Sequence, residues 1–486
     1  QRETELVRHA KVWLRPKPGS ESALISGMIR VILDESIDDH DFLADSCENP
    51  GEFRSAVWGY DLIKVERITG VPQDEIQRAA REFAAGNPAA ILYALETLPR
   101  ETREDCGRAL VNLALVTGNV GKPSSGLFPL FPGANEQGSK DVGCAPDILP
   151  GHRRLSSERG RKRILDAWNV QVPSAEGVGV LDLASAISDG HIKALQVIGD
   201  SPSFSNGELE GFLEAARELE FLVVHDTFPS ALTEMADVVL PSQTFAARRG
   251  TYTNLERRVQ LLRPALGPTD DEEADWRTIC QIARRMGVEG FDYSDEEQIF
   301  DELNDIVPFY GGISYRRLEG GGLQWPCLAA DMADTSDLYA GAFERRKARF
   351  AEVSLVDAPS HHDDAYPLLL AHGRVLHQPE KDVDIVDVDG RNAISRPETV
   401  TLHVDDAEKL GISDGDRVDV ESPRGTIVGV ASLAGPLQGI VNVTTLFGQL
   451  IWDLERSDDP DPMLRAPTLP LLPVRLLKPT AAVAAD

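Results

Sequence analysis

Cysteine is scarce in this chain. Five occur in 486 residues (Cys47, Cys106, Cys144, Cys280 and Cys327), and the nearest pair, Cys106 and Cys144, stands 38 residues apart. Secreted disulfide frameworks use denser, paired cysteines, and zinc or iron–sulfur sites usually bring two within a few residues, so neither is expected in this stretch. Long apolar runs are missing too, which leaves no segment able to span a bilayer as a helix. The opening QRETELVRHAKVWLRP has neither an apolar leader core nor an initiating Met. It reads neither as a signal peptide nor as a protein's start, and the chain is expected to be the later part of a longer one. Basic residues are outnumbered, 49 Lys and Arg against 79 Asp and Glu, for a formal charge of −30. Such a surface repels nucleic acid and anionic lipid and favours basic protein partners.

What is there is the composition of an ordinary globular protein, 42% hydrophobic and 26% charged, long enough for about three domains. Residues 1–150 read as alternating helix and strand. Leu24, Ile25, Met28, Val31 and Ile32 repeat at helical spacing; Pro72 opens a second helix carrying Ile76, Ala79, Ala80 and Phe83; Leu110, Leu113 and Ala114 mark a third. Ala89 to Tyr93 reads as a buried strand. The Gly/Pro-rich stretch Gly121 to Gly151 is too long for a plain turn, and its Phe128, Leu130, Phe131 and Ile148 predict an ordered binding loop.

Over 151–290 the apolar runs Ala194–Ile198, Phe221–Val224 and Val238–Leu240 alternate with a helical stripe through Leu209, Phe212, Leu213, Ala216 and Leu219. Continuous apolar strands separated by helices predict a parallel sheet covered on both faces. Residues 291–365 are charged and weakly patterned, and read as surface insertion and linker. From Tyr366 short β-rich runs, broken by turns and one helix over Asp405 to Leu410, predict a β-barrel domain over 366–478 with a tail at 479–486. The Pro/Ala-rich text from Pro460 reads as an extended arm lying on a partner. The expected fold class is α/β, with Rossmann-like parallel-sheet domains followed by a C-terminal, double-psi-like β-barrel.

In open α/β sheets ligands sit beyond the carboxyl ends of the strands, where loops and helix starts supply donors. Two strands here end in Gly199–Asp200 and in His225–Asp226. An acidic residue at the second strand end can accept from ribose hydroxyls, yet GxGxxG is absent and both carboxylates are equally able to cap turns. Arg248–Arg249–Gly250–Thr251–Tyr252–Thr253–Asn254, with Arg257 and Arg258, clusters donors suited to phosphate or diphosphate, or forms a solvated turn. His361–His362–Asp363–Asp364 reads as solvated linker rather than a metal site, and His372 and His377 as reachable but unspecific. His9, His152 and His225 show no acid partner in the sequence.

Several stretches resemble one superfamily. ADVVLPSQTFAARRGTYTNLERRVQ (236–260), ALVNLALVTGNVGKPSSG (109–126), FLVVHDTF (221–228) and HVDDAEKLGISDGDRVDVESPRG (403–425) are similar to segments found, in this order, across the molybdopterin oxidoreductases. Within that superfamily PLFPGANEQGSKDVGCAPDILPG (129–151) looks most like the molybdopterin-oxidoreductase-like subunit of bacterial NADH:quinone oxidoreductase (complex I), with the catalytic subunit of formate dehydrogenases as the alternative. The resemblance places dinucleotide-phosphate contacts at Gly199, Asp200, Pro202, Asp226, Thr227, Gly250, Thr251 and Asn254. It implies molybdopterin guanine dinucleotide as the cofactor to be tested, iron–sulfur clusters upstream of residue 1, partner subunits of a redox complex, and a place at the cytoplasmic face of the inner membrane. One departure bears on the choice: formate dehydrogenases carry a polar, His-containing stretch where this chain has YALETLPRETRED (93–105). On that ground the fragment is expected to serve as a scaffold in complex I without a metal centre or catalytic residue of its own, while electrons pass from NADH toward quinone through clusters held elsewhere.

Overall fold

A computed structural model describes residues 5–95, 98, 100–130, 133–179, 182–199, 210–267, 272–341, 343, 346–355, 364–370, 374–375, 399–423, 425–445 and 472–478. The chain divides into two compact units. The first joins residues 1–127 and 339–486, with 206–208; the second comprises 128–205 and 209–338.

The first unit begins with a layer of helices: α1 (Glu21–Asp34), α2 (His40–Ser46), α3 (Pro50–Val57), α4 (Leu62–Thr69), α5 (Gln73–Ala85) and, after strand β1 (Ala90–Tyr93), α6 (Arg100–Val116). The predicted stripe on α1 is its buried face: Leu24, Val31 and Ile32 are buried, and the helix packs on α4, α5 and α6. Pro72 stands at the N-cap of α5, whose Ile76, Ala79 and Ala80 are buried. In β1 only Ile91 is buried, while Leu92 is 62% exposed, which corrects the expectation of a buried strand: alternation puts successive side chains on opposite faces. A later segment, residues 346–355, is strapped across these helices. The nearly inaccessible Asn112 exchanges two hydrogen bonds with the Ala351 backbone, and Tyr60 Oη donates to Val353 O.

The chain passes between units within β2 (Gly126–Pro129). The second unit contains α7 (Glu136–Asp141), β3 (Ile148–Leu149), β4 (Arg153–Arg154), α8 (Glu158–Trp168), α9 (Leu183–Ser188), β5 (Ala194–Ile198), α10 (Glu210–Ala216), β6 (Phe221–Asp226), α11 (Ala231–Met235) and β7 (Val238–Pro241). It continues through β8 (Gly250–Thr253), β9 (Arg258–Leu262), α12 (Asp275–Arg285), α13 (Glu296–Ile306), α14 (Tyr315–Leu318) and β10 (Leu323–Gln324). Strands β5, β6 and β7 form the expected parallel sheet in that order, with Ile198 opposite His225 and Asp226 opposite Pro241. It is not covered on both faces: Val238 and Val239 are 38% and 45% exposed, because β5 and β7 are each edge strands. Strands β8, β9 and β10 form an antiparallel sheet. The stretch expected as surface insertion instead supplies a core, in which Phe300, Ile306, Tyr310, Ile313, Tyr315 and Leu318 are buried.

The rest of the first unit is a closed six-stranded barrel. Its strands are β11 (Leu368–Leu370), β13 (Thr399–Thr401), β14 (Arg417–Ser422), β15 (Gly425–Ser432), β16 (Ile440–Thr445) and β17 (Leu472–Leu477); β12 (Arg374–Val375) extends the β11 side along β16, and α15 (Val404–Leu410) follows β13. The ring runs β11–β17–β14–β15–β13–β16 and back to β11. Pairs β11–β16 and β13–β15 are parallel and the other ring pairs antiparallel. Gly411 ends α15 in the left-handed region, φ 65°. Residues 472–477, expected within an extended arm, are the barrel strand between β11 and β14. Val474 is fully buried and Leu472 and Leu476 nearly so, and that burial holds them in place.

Candidate functional site

At the carboxyl ends of the parallel strands, Gly199 follows β5 and its N–H donates to His225 O at 2.8 Å, which sets it beside Asp226 at the end of β6. Its φ of 66° is one a side chain disfavours, so the chain turns sharply off the sheet there. Asp226 and Thr227 are half-buried. Asp226 Oδ1 accepts from Thr227 N at 2.6 Å and Phe228 N at 3.4 Å, so the carboxylate caps its own turn and is held at the rim. Asp200 and Pro202 lie outside the described residues, as do His361, His362, Asp363, His372 and His377.

Behind this rim lies a buried polar network that no sequence pattern announces. His225 is 1% exposed. Gln196 Nε2 lies 2.8 Å from its Nε2, and its Nδ1 faces Asp275 Oδ1 at 3.7 Å. Burial lowers the His225 pKa, with Asp275 opposing. Asp275, the first residue of α12, also accepts from Ser242 Oγ and pairs with Arg248 at 3.3 Å. Arg248 Nε donates to Gln243 O at 2.7 Å. The network ties β5, β6, the end of β7 and α12 together, and Gly250 begins β8 two residues beyond Arg248.

The other end of β8 meets a second network. Thr253 N donates to Asn135 Oδ1 at 2.8 Å, and Thr253 Oγ1 lies 3.1 Å from Tyr310 Oη, which donates to Asp141 Oδ2 at 2.6 Å. The Asp141 side chain is wholly inaccessible. It also accepts from Trp325 Nε1 at 2.9 Å and Gln137 Nε2 at 2.8 Å, and pairs with His152 Nε2 at 2.5 Å. Its backbone carbonyl takes Gly151 N at 2.8 Å. Burial raises the Tyr310 pKa, and the neighbouring Asp141 charge raises it further. Within the second unit, residues 133–151 of that stretch are therefore folded around α7 and anchored by the buried Asp141 side chain, and 131–132 lie outside the described residues.

The predicted residues are thus brought together in part. Gly199, Asp226 and Thr227 converge at the strand ends, whereas Gly250 starts β8, a strand of the separate antiparallel sheet. Asn254 sits past the far end of β8, about 3.3 Å per residue away. There its Oδ1 accepts from Glu256 N at 2.9 Å and Arg258 N at 3.0 Å, so it shapes the β8–β9 turn. The basic cluster is already paired within its own unit: Arg248 with Asp275, Arg249 with Glu296, Arg257 with the Trp325 and Ser336 carbonyls, and Arg258 with Gln324. The acid partners of His152 and His225 stand 11 and 50 residues away in sequence, where no spacing rule finds them. Among the described residues no group of three or more metal-ligating side chains occurs, and no helix is long and apolar enough to cross a membrane.

A carboxylate held at the rim can accept from the N–H edge of guanine or from ribose hydroxyls, and a left-handed glycine leaves the neighbouring backbone open to phosphate. Comparison with known proteins gives the family. The family described as Molybdopterin oxidoreductase matches residues 2–285, and a Molydopterin dinucleotide binding domain matches 368–459. F420-dependent formate dehydrogenase 2 subunit alpha of Methanococcus maripaludis is 30% identical over 482 residues, 98% of this chain and 71% of that protein. Formate dehydrogenase H of Escherichia coli is 32% identical over 451 residues, 91% of this chain and 63% of that protein. Acetylene hydratase from Pelobacter acetylenicus shares the fold, with a TM-score of 0.67 at 18% identity over 98% of this chain and 73% of its own. The preference for a complex I subunit is thereby corrected: these relatives bear formate dehydrogenase names. The chain belongs to the molybdopterin oxidoreductase family.

Proposed function

We propose that this chain is the dinucleotide-binding portion of a formate dehydrogenase catalytic (alpha) subunit. The observation that carries the reading is its 30–32% identity to formate dehydrogenase chains along 91–98% of its own length. In this reading Gly199, Asp200, Pro202, Asp226 and Thr227 hold one guanine dinucleotide arm of the cofactor, and Gly250 and Thr251 border it. Asn254 acts indirectly by shaping the turn after β8. The cofactor, when bound, supplies the two-electron redox chemistry of molybdenum. The chain's own residues orient it: Asp226 accepts from the nucleotide, and the His225–Asp275–Arg248 network behind the rim fixes the strand end that carries Asp226. Other subunits of a redox complex are the expected partners, as the relatives' designation "subunit alpha" suggests.

The test is chemical. Protein produced in a host that makes the cofactor is denatured, and the released guanine nucleotide and molybdenum are quantified. Both are expected in stoichiometric amount, and Asp226→Ala is expected to lower the nucleotide content severalfold. A blank extract from the wild-type protein would overturn the reading.

A further inference from the structure

Positive charge is sparse on this acidic chain, yet six of its 49 Lys and Arg fall within 153–163: Arg153, Arg154, Arg159, Arg161, Lys162 and Arg163. They occupy β4, the turn after it and the first turns of α8. Elsewhere in the second unit arginines reach carboxylates, Arg248 at Asp275 and Arg249 at Glu296. Here Arg161 Nη1 donates instead to Leu155 O at 2.7 Å, and Arg163 to the Ile306 and Asp305 carbonyls at 2.7 and 3.0 Å. Carbonyl oxygens fix a guanidinium without balancing its charge. Arg154, Arg159 and Lys162 are exposed and have no hydrogen bond or ion pair among the described residues. The acids Glu158 and Asp166, exposed on the same helix, pair with none of them.

The backbone beneath these cations is held in place. Ser157 Oγ caps α8 by accepting from Gly160 N at 3.2 Å, and Ser157 N donates to Arg154 O at 2.9 Å. Along the outward side of α8, Arg159, Lys162, Leu165 and Trp168 follow at three-residue intervals, and Leu165 and Trp168 are 37% and 42% exposed. Glu302 steadies the Trp168 ring, accepting from Nε1 at 2.7 Å. Cations beside an exposed indole and leucine match the make-up of protein interfaces, in which Arg and Trp are enriched. From Arg159 to Trp168 the helix rises about 14 Å. Screening at 0.15 M acts over about 8 Å, so a body seated here senses the patch more than the charge of the whole chain.

We infer that β4 and the outward face of α8 form a docking surface for an acidic protein. Charge complementarity selects that partner. The acidic surroundings repel such a body while the patch attracts it, which orients the encounter. A nucleic acid or an anionic bilayer is more extended than the patch and meets the negative surface around it. The inference does not rest on the dinucleotide cofactor.

A short fluorescein-labelled peptide of Glu with interspersed Leu is the probe, titrated into the full chain by fluorescence anisotropy. It is expected to bind, and to lose at least about tenfold in affinity as sodium chloride rises from about 0.05 to 0.3 M. Arg159→Glu combined with Lys162→Glu is expected to weaken binding at least about tenfold. Lys64→Glu combined with Arg285→Glu changes the net charge equally, at two exposed cations on α4 and α12, and is expected to leave the affinity within about twofold. Unfolding temperatures are checked first; should the α8 variant fail to fold, Arg154→Glu carries the test. No binding of the peptide, or equal weakening by the two double variants, would overturn the inference. So would equal binding of a single-stranded oligonucleotide or of phosphatidylserine vesicles through Arg159 and Lys162.

Discussion

Two side chains hold the second unit's polar interior together, and each makes a distinct prediction. His225 is kept neutral by burial, and its pKa is lowered. The unfolded chain binds a proton at about pH 6.5 and the folded chain only at lower pH. Stability is therefore complete above that range and falls as pH drops through it, by at most about 1.4 kcal/mol per pH unit. Urea unfolding between pH 7 and 5 is expected to show this loss, and His225→Gln to flatten it; an unchanged slope would mean the imidazole titrates alike in both states. Asp141 is the opposite case, a buried anion whose oxygens are shared among Tyr310, Trp325, His152 and Gln137. Asp141→Asn leaves donors facing an NH₂ group, and the expected loss is about 3 kcal/mol in urea unfolding. A loss under about 1 kcal/mol would show that the donors find other acceptors. Neither network was legible in the sequence, because each joins residues from separate elements that only the folded sheet order brings together. Gly199 and Asp226 were legible because a strand end announces itself by an apolar run that stops.

At the scale of elements, what could be read depended on local periodicity. Helices α1, α5 and α6 and strands β5, β6 and β7 each carry an apolar pattern within a short window, and each formed where the pattern lies. The core from Phe300 to Leu318 was missed because its apolar residues are spread over a helix, a 3₁₀ turn and another short helix, with no single period. Strand β17 was missed because LPVRLL carries a proline at its second position and follows Pro-rich text. It is stable only because the barrel needs a strand between β11 and β14, and long-range pairing of that kind leaves no local trace. The barrel makes its own prediction. Leu402 is fully buried beside β13, its carbonyl accepts from Gly435 N at 3.0 Å, and a Cβ on Gly435 would stand 2.3 Å from the Leu402 carbonyl carbon. Leu402→Ala is expected to cost about 2–5 kcal/mol through the cavity it leaves. Gly435→Ala, a gain of one methyl group on a loop, is expected to be at least as damaging. Thermal unfolding of the two variants gives the comparison, and a milder Gly435→Ala would show that the loop can move aside.

Across the whole molecule the dominant quantity is a charge of −30. Two electrostatic effects of opposite sign respond to salt. Surface ion pairs such as Arg81–Glu35, Arg349–Glu48 and Lys193–Glu220 are weakened by screening, but exposed pairs contribute only about 0–1 kcal/mol each. The thirty carboxylates in excess repel one another over longer distances, and that repulsion is present whatever pairs form locally. Raising ionic strength from about 0.01 to 0.15 M shortens the screening length from about 30 to 8 Å, which removes the long-range repulsion and spares contacts of about 3–4 Å. The net effect is therefore stabilising. The unfolding temperature at pH 7 is expected to rise by about 1 °C on adding sodium chloride if the relief amounts to about 1 kcal/mol, at about 2.1 cal/mol/K of unfolding entropy per residue. A fall would mean that the paired arginines and lysines outweigh the excess, and that the acidic surface is not under strain. A rise would fit the proposed place in a complex, since a partner presenting a basic face would relieve locally the same repulsion that salt relieves over the whole surface.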